Sequence, residues 1–351
     1  MKLLHILRAL LCIVPLALSS AYAVDEDLAP ENATGRQTNI ASNAYPSLVV
    51  TANPLATRVG LSILQQGGSA ADAAVAIQAM LTLVEPQSSG IGGGAFLLYW
   101  DQAENKLTAL DGRETAPLAA DEKLFYRNKE PMRWVDALVG GRSVGTPEAR
   151  NYFYAEDGSP LPVGFLRKNP ALARSLKLIA QQGSSAFYQG TLGKKIVARI
   201  QEIKDNPGLL SSRDLAQYQA IERTPICQPY KTYKVCGFPP PTSGGVTVLQ
   251  ILTLLEHTDD SALPPHSPLA KHLFTQASRL AYADRGRYLA DSDFVDVPVE
   301  GLLNADYIQQ RATLIQSTQD AGTIAPGQPE GMNSAWRDDQ SPELPSTSHF
   351  V

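Results

Sequence analysis

Arg113 is the residue whose type and setting most plainly suggest chemistry. It lies between Asp111-Gly112 and Glu114, where a short strand-like run gives way to turn residues. A guanidinium at a strand end can grip a carboxylate through two parallel hydrogen bonds. It can equally be occupied by an ion pair with Glu114 or Asp111, and the residues alone leave both readings open. A second cluster is Gly90-Ile91-Gly92-Gly93-Gly94. Consecutive glycines let backbone N–H groups approach a ligand closely. The cluster lacks the Gly-Lys-Ser/Thr ending of a phosphate-binding loop, and a strand follows it rather than a helix. A tight buried loop between an apolar helix and a strand is therefore the favoured reading. His257, His266, His272 and His349 have no second His or Cys at ligand spacing, so no metal site is expected.

The elements that would carry these residues are legible. Asn53-Pro54 opens a helix, Asn as cap and Pro in the first turn. Leu55, Val59 and Ile63 mark one of its faces, and Gly67-Gly68 ends it. Ser69 with Asp72 opens a second helix that runs to about Val84, before Pro86. Its stretch 73–81 is apolar almost all round, which predicts burial on several sides. Residues 48–51 read as a short β-run, and 96–100 and 106–110 as strands joined by turn residues 101–105. Helices are predicted within 165–204, broken at Gly183 and Gly190. Two short strands are predicted around Lys231-Thr232, and further helices over 246–257 and from about 269 to 289. From about 317 the chain is rich in Pro, Gly, Ser, Asp and Gln, and irregular structure is expected. There is no internal repeat. Helices flanking short strands give an α/β or α+β class.

Thirty basic and 35 acidic residues give a net charge of −5. A mildly acidic chain without a basic block argues against nucleic acid or anionic membrane as its main partner. Residues 1–23 combine Lys2 and Arg8, an apolar run over 9–18 and the small-x-small site Ala21-Tyr22-Ala23. That is the pattern of a secretory signal peptide, and the run is too short to span a bilayer. No membrane association is expected once it is removed. Export to an oxidising compartment makes Cys227 and Cys236 an expected disulfide across the short two-strand segment they flank.

Several stretches together resemble the large-subunit region of the γ-glutamyltransferase (γ-glutamyltranspeptidase, glutathione hydrolase) family. They are Ala52-Asn53-Pro54-Leu55-Ala56-Thr57, Gly67-Gly68-Ser69-Ala70-Ala71-Asp72-Ala73 and Val84-Glu85-Pro86-Gln87-Ser88-Ser89-Gly90-Ile91-Gly92-Gly93-Gly94. Further along come Leu110-Asp111-Gly112-Arg113-Glu114-Thr115-Ala116-Pro117, Pro239-Pro240-Pro241-Thr242-Ser243-Gly244-Gly245, Ala281-Tyr282-Ala283-Asp284-Arg285 and Asp291-Ser292-Asp293-Phe294-Val295. They run in family order from about residue 37 to the C-terminus.

The resemblance implies an N-terminal-nucleophile hydrolase built on a four-layer αββα sandwich, here as an incomplete, large-subunit part. It implies a precursor that cuts itself at Ser346–Thr347 and frees Thr347 as the nucleophile. The α-amine of that threonine titrates near neutrality and can take the hydroxyl proton. Arg113 then becomes the grip on the substrate α-carboxylate. Glutathione and other γ-glutamyl compounds are the implied substrates, with no cofactor, and the implied compartment is the bacterial periplasm. The expected organisation is a signal peptide over 1–23, a large-subunit-like region over 24–346 and the start of a small subunit over 347–351. An internal deletion is expected near 147–153, because Arg142-Ser143-Val144-Gly145-Thr146-Pro147 runs almost directly into Ala155-Glu156-Asp157-Gly158. With the rest of the small subunit absent, the chain alone is expected neither to cut itself nor to hydrolyse its substrate. The alternative is an inactive remnant, or a large-subunit partner for a separately encoded small subunit.

Overall fold

The computed structural model describes residues 47–333, apart from 122, 125, 128, 132–146, 163, 204–206, 259–262 and 265. The chain divides into two compact units, residues 1–91 with 343–351, and residues 92–342. Among the described residues no helix is long and apolar enough to cross a membrane. The predicted signal peptide over 1–23 lies outside the described residues, as do Ser346 and Thr347.

In the first unit, helices α1 (Pro54–Gln65) and α2 (Ala70–Val84) form an antiparallel pair. The caps are those read from the sequence. Asn53 Oδ1 accepts the Leu55 N–H at 3.0 Å, while its Nδ2 donates to Glu85 Oε1 at 2.9 Å, tying the start of α1 to the end of α2. Ser69 and Asp72 form a reciprocal capping box. The buried stripe of α1 is shifted by one residue from the predicted Leu55, Val59 and Ile63. It runs through Ala56 and Gly60, and Leu55 is exposed. Close helix approach selects small residues at the crossing: a Cβ on Gly60 would lie 2.5 Å from Ile77 Cδ1. Helix α2 likewise departs from expectation. It buries the single line Ala73, Ile77 and Leu81, and Val75 faces solvent. One partner helix covers one stripe, whatever the hydropathy of the others. Residues 48–50 form no strand.

The second unit opens with the antiparallel strands β1 (Ala95–Asp101) and β2 (Lys106–Gly112), in the predicted places. Two-residue strands β3 (Tyr126–Arg127) and β4 (Glu130–Pro131) pair with each other. Helices α3 (Pro147–Phe153), α4 (Pro170–Gln182), α5 (Ser185–Tyr188), α6 (Thr191–Gln201) and α7 (Ser212–Gln217) follow. Gly183, at a φ of 68°, closes α4 as predicted. Strand β5 (Ile221–Arg223), which sequence patterning did not reveal, adds to β2, so the sheet order is β1-β2-β5. The predicted hairpin is β6 (Ile226–Tyr230) and β7 (Tyr233–Gly237), turning through Lys231 at a φ of 53°. Cys227 faces Cys236 across this hairpin, and the two are disulfide-bonded.

Helices α8 (Gly244–Glu256), α9 (Pro268–Tyr288), α10 (Val299–Leu302) and α11 (Ala305–Ala312) complete the unit. Ile251, Leu254, Leu273, Ala277, Leu280 and Ile308 form its main apolar core. The same helices bury an acidic residue, Asp284, 1% exposed. Its Oδ1 accepts from Arg311 Nη2 at 3.0 Å and the Gly327 N–H at 2.8 Å; its Oδ2 accepts from the Tyr307 hydroxyl at 2.7 Å and Gln250 Nε2 at 3.2 Å. Burial first, and Asp284 second, push the Tyr307 hydroxyl far above its ordinary pKa, so it acts as a donor at every working pH. This carboxylate joins α8, α9 and α11 to the loop at Gly327.

Replacing Asp284 by Ala should cost about 3–5 kcal/mol, because it leaves Arg311 charged and buried without a partner. Urea unfolding checks this, and Asp284→Ala with Arg311→Met should recover part of the loss. Equal instability of the single and double variants would contradict it. The disulfide should contribute about 2–3 kcal/mol through its short loop. Alkylation of both cysteines in the non-reduced protein, seen by mass spectrometry, would count against the bond.

Candidate functional site

The site is built at the exit of β2. Asp111 is buried and Arg113, two residues on, is 58% exposed along its side chain. Between them Gly112 lies close to β1: a Cβ there would meet the Ala95 carbonyl at 3.1 Å, a tight contact. The Arg113 backbone is fixed from both sides. Its N–H donates to Asp111 Oδ1 at 2.8 Å, and its carbonyl accepts from the Tyr218 hydroxyl at 3.1 Å. Tyr218 in turn stacks on Tyr188, ring centroids 5.5 Å apart and 12° from coplanar. Burial raises the Tyr218 pKa, with Tyr188, Asp111 and Glu114 adding to it, so its proton stays on the donor.

The Arg113 guanidinium pairs with Glu114, Nε to Oε2, at 3.2 Å. Of the two acids near it in sequence, Arg113 thus pairs with Glu114 rather than Asp111. The pair is solvent-exposed, so it holds the guanidinium only weakly and leaves its outer edge open to an incoming carboxylate. Asp111 has a different cation. Arg223 on β5 donates from Nε to Asp111 Oδ2 at 2.7 Å, and from Nη1 and Nη2 to Asp293 Oδ1 and Oδ2 at 2.9 and 2.6 Å. The bidentate bond to Asp293, and more weakly that to Asp111, push the Arg223 pKa still higher, so it is a permanent cation. Its bond holds Asp293 below the usual carboxylate range.

The glycine cluster is not the tight buried loop expected. Gly90, Gly92 and Gly93 are exposed, and a Cβ on Gly90 or Gly92 would meet nothing within 4 Å. Gly94 is crowded: its Cβ would lie 2.5 Å from Glu114 Oε2 and 3.0 Å from the Gly112 carbonyl. The end of the glycine motif thus makes room for the acidic residue of the Asp-Gly-Arg-Glu motif. Sequence reasoning missed Tyr218 and Arg223, which carry no local signal. Asp293 belongs to a quoted motif, but its partner could not be read from it. Among the described residues no His, Cys, Asp and Glu side chains group as a metal site.

A protein-family model described as Gamma-glutamyltranspeptidase matches residues 56–150 and 146–351. The chain is 33% identical to the glutathione hydrolase proenzyme of Escherichia coli K12, over 81% of this chain and 58% of that protein. It is 32% identical to the glutathione hydrolase proenzyme of Bacillus subtilis 168, over 78% of this chain and 55% of that one. It therefore spans somewhat more than half the length of these curated relatives. Its fold is similar to the crystal structure of Helicobacter pylori gamma-glutamyltranspeptidase, with a TM-score of 0.74 at 28% identity, covering 84% of this chain and 100% of that one. The mixed α/β architecture is thus that of this N-terminal-nucleophile hydrolase group.

Gly94→Ala should fold, at a cost of about 1–3 kcal/mol, by turning the Glu114 carboxylate away from Arg113. A crystal structure of the variant with the Arg113–Glu114 pair intact would contradict this steric link.

Proposed function

The chain belongs to the γ-glutamyltranspeptidase family, and on that premise we propose that it is the large-subunit part of an enzyme cleaving γ-glutamyl amides such as glutathione. The observation that carries the reading is Arg113: an exposed guanidinium whose backbone is clamped on both sides. A clamped backbone reduces the freedom lost on binding, and the planar fork matches an α-carboxylate.

Thr347 supplies the nucleophile in this reading. Before maturation its hydroxyl attacks the Ser346 carbonyl carbon, the peptide C–N bond breaks, and water releases the ester to leave Thr347 with a free α-amine. In the catalytic cycle that amine takes the hydroxyl proton as Oγ1 bonds to the γ-carbonyl carbon. The proton passes to the departing amine, and a γ-glutamyl ester remains. Water or an acceptor amine then attacks the ester, and the threonine hydroxyl is restored. No cofactor enters any step. The word proenzyme in the names of both curated relatives supports the self-cleavage.

The same reading assigns residues 1–23 to export into the periplasm, 24–346 to the large subunit and 347–351 to the start of the small subunit, which is the chain's partner. The two segments of the family match overlap at 146–150, which supports an internal deletion near 147–153, the residues of the short helix α3.

In the protein carried to its relatives' full length, Arg113→Ala should raise KM for a γ-glutamyl anilide by an amount equivalent to about 2–5 kcal/mol. Arg113→Lys should restore part of this. Thr347→Ala should abolish both the Ser346–Thr347 cut, read by N-terminal sequencing, and anilide hydrolysis. Either activity surviving in Thr347→Ala would refute the assignment.

A further inference from the structure

We propose that Arg223 is a positioning residue for the carboxylate anchor, holding Asp111 on one side and Asp293 on the other so that the Arg113 backbone presents its guanidinium in one direction. The inference rests on the reading of Arg113 as the substrate grip, and adds to it a residue that touches no substrate.

The geometry is a relay with divided oxygens. Asp111 is 4% exposed, and its two carboxylate oxygens serve different partners. One accepts Arg223 Nε at 2.7 Å; the other accepts the Arg113 N–H at 2.8 Å. Turning the carboxylate to suit one partner disturbs the other. A buried carboxylate with its cation removed has strong reason to turn, move toward water or take up a proton. Arg223 is itself held. Its side chain is 14% exposed, and both Nη atoms engage Asp293 in the bidentate geometry that fixes a guanidinium plane. Asp293 is set in place by its own N–H, which donates to Asp291 Oδ1 at 2.9 Å. The loop after α9 thereby reaches the exit of β2 through one side chain. Tyr218 completes the arrangement by fixing the carbonyl on the far side of Arg113. Among the described residues, the Arg113 guanidinium is restrained only by the exposed pair with Glu114.

A purely structural Arg223 would neutralise Asp111 and do no more; its loss would loosen the whole unit evenly. A positioning Arg223 acts locally and on ligand affinity. The test uses the full chain, isotopically labelled, in five forms: unaltered, Arg223→Gln, Arg223→Lys, Asp293→Ala and Arg113→Ala. Hydrogen exchange of the Arg113 amide is followed by NMR, and binding of L-glutathione by calorimetry. Arg223→Gln should speed exchange at Arg113 about tenfold or more, the scale of a lost charge-assisted hydrogen bond, with the amides of α8, α9 and α11 unchanged. Asp293→Ala should produce a smaller rise, and Arg223→Lys should lie between the unaltered chain and Arg223→Gln. Glutathione affinity should fall in the same order. Unchanged Arg113 exchange in Arg223→Gln and Asp293→Ala overturns the proposal. So does faster exchange shared by the helical core, or unaltered affinity in Arg223→Gln where Arg113→Ala weakens it. Should Arg223→Gln fail to fold, Asp293→Ala, altered only at a half-exposed carboxylate, decides by the same criteria. If Arg113→Ala leaves glutathione binding unchanged, the substrate-grip reading fails, while the exchange data still report whether Arg223 sets the Arg113 backbone.

Discussion

A carboxylate removed from water needs a cation and a full set of donors, and the candidate site depends on how Asp111 meets that need. Alone on β2 it would be a costly buried charge. Strand β5 brings Arg223 alongside it, and the same strand closes the β1-β2-β5 sheet. The pairing of strands and the pairing of charges therefore enforce each other. A register slip of one residue on β5 would turn Arg223 to the other face of the sheet and strand Asp111.

The same constraint governs the helical core. Asp284 is 1% exposed and lies on the helix that carries the core residues Leu273, Ala277 and Leu280, yet it accepts four hydrogen bonds from three separate segments, α8, α11 and the loop at Gly327. Apolar packing brings α8, α9 and α11 together, but it is tolerant of small shifts. A buried carboxylate with directional donors is not. In both places a family motif, Asp111-Gly112-Arg113-Glu114 or Ala281-Tyr282-Ala283-Asp284-Arg285, contributes the buried acid, and a distant residue, Arg223 or Arg311, contributes the cation.

Glycine placement follows from close approach rather than from softness. Gly60 permits one helix to lie against another, Gly112 lies close to the Ala95 carbonyl, and Gly94 gives space to the Glu114 carboxylate. The exposed Gly90 and Gly92 have no such neighbour, so their side-chain-free surface is not explained by packing within the described structure.

The sequence by itself determined the local elements and the chemistry on offer. Caps at Asn53 and Ser69, the turn at Lys231-Thr232, the breaks at Gly183 and Gly190 and the strands on either side of Asn105 all depend on neighbours within a few residues, so they were legible. Arg113 was legible as a charged residue at a strand end, and the family motifs gave it a role. Its partner was not: two acids stood near it in sequence, and only the fold sends Asp111 to Arg223 and leaves Glu114 to Arg113. Strand β5 has three residues, too few for a period to show, and it exists because β2 offers an open edge. The buried face of α1 and the single buried line of α2 were likewise misread from hydropathy, because which apolar residues are covered depends on what packs against them. Contacts such as Arg223 with Asp111, 112 residues apart, leave no trace in local pattern; they arise only when burial makes an unpaired charge too costly to leave alone.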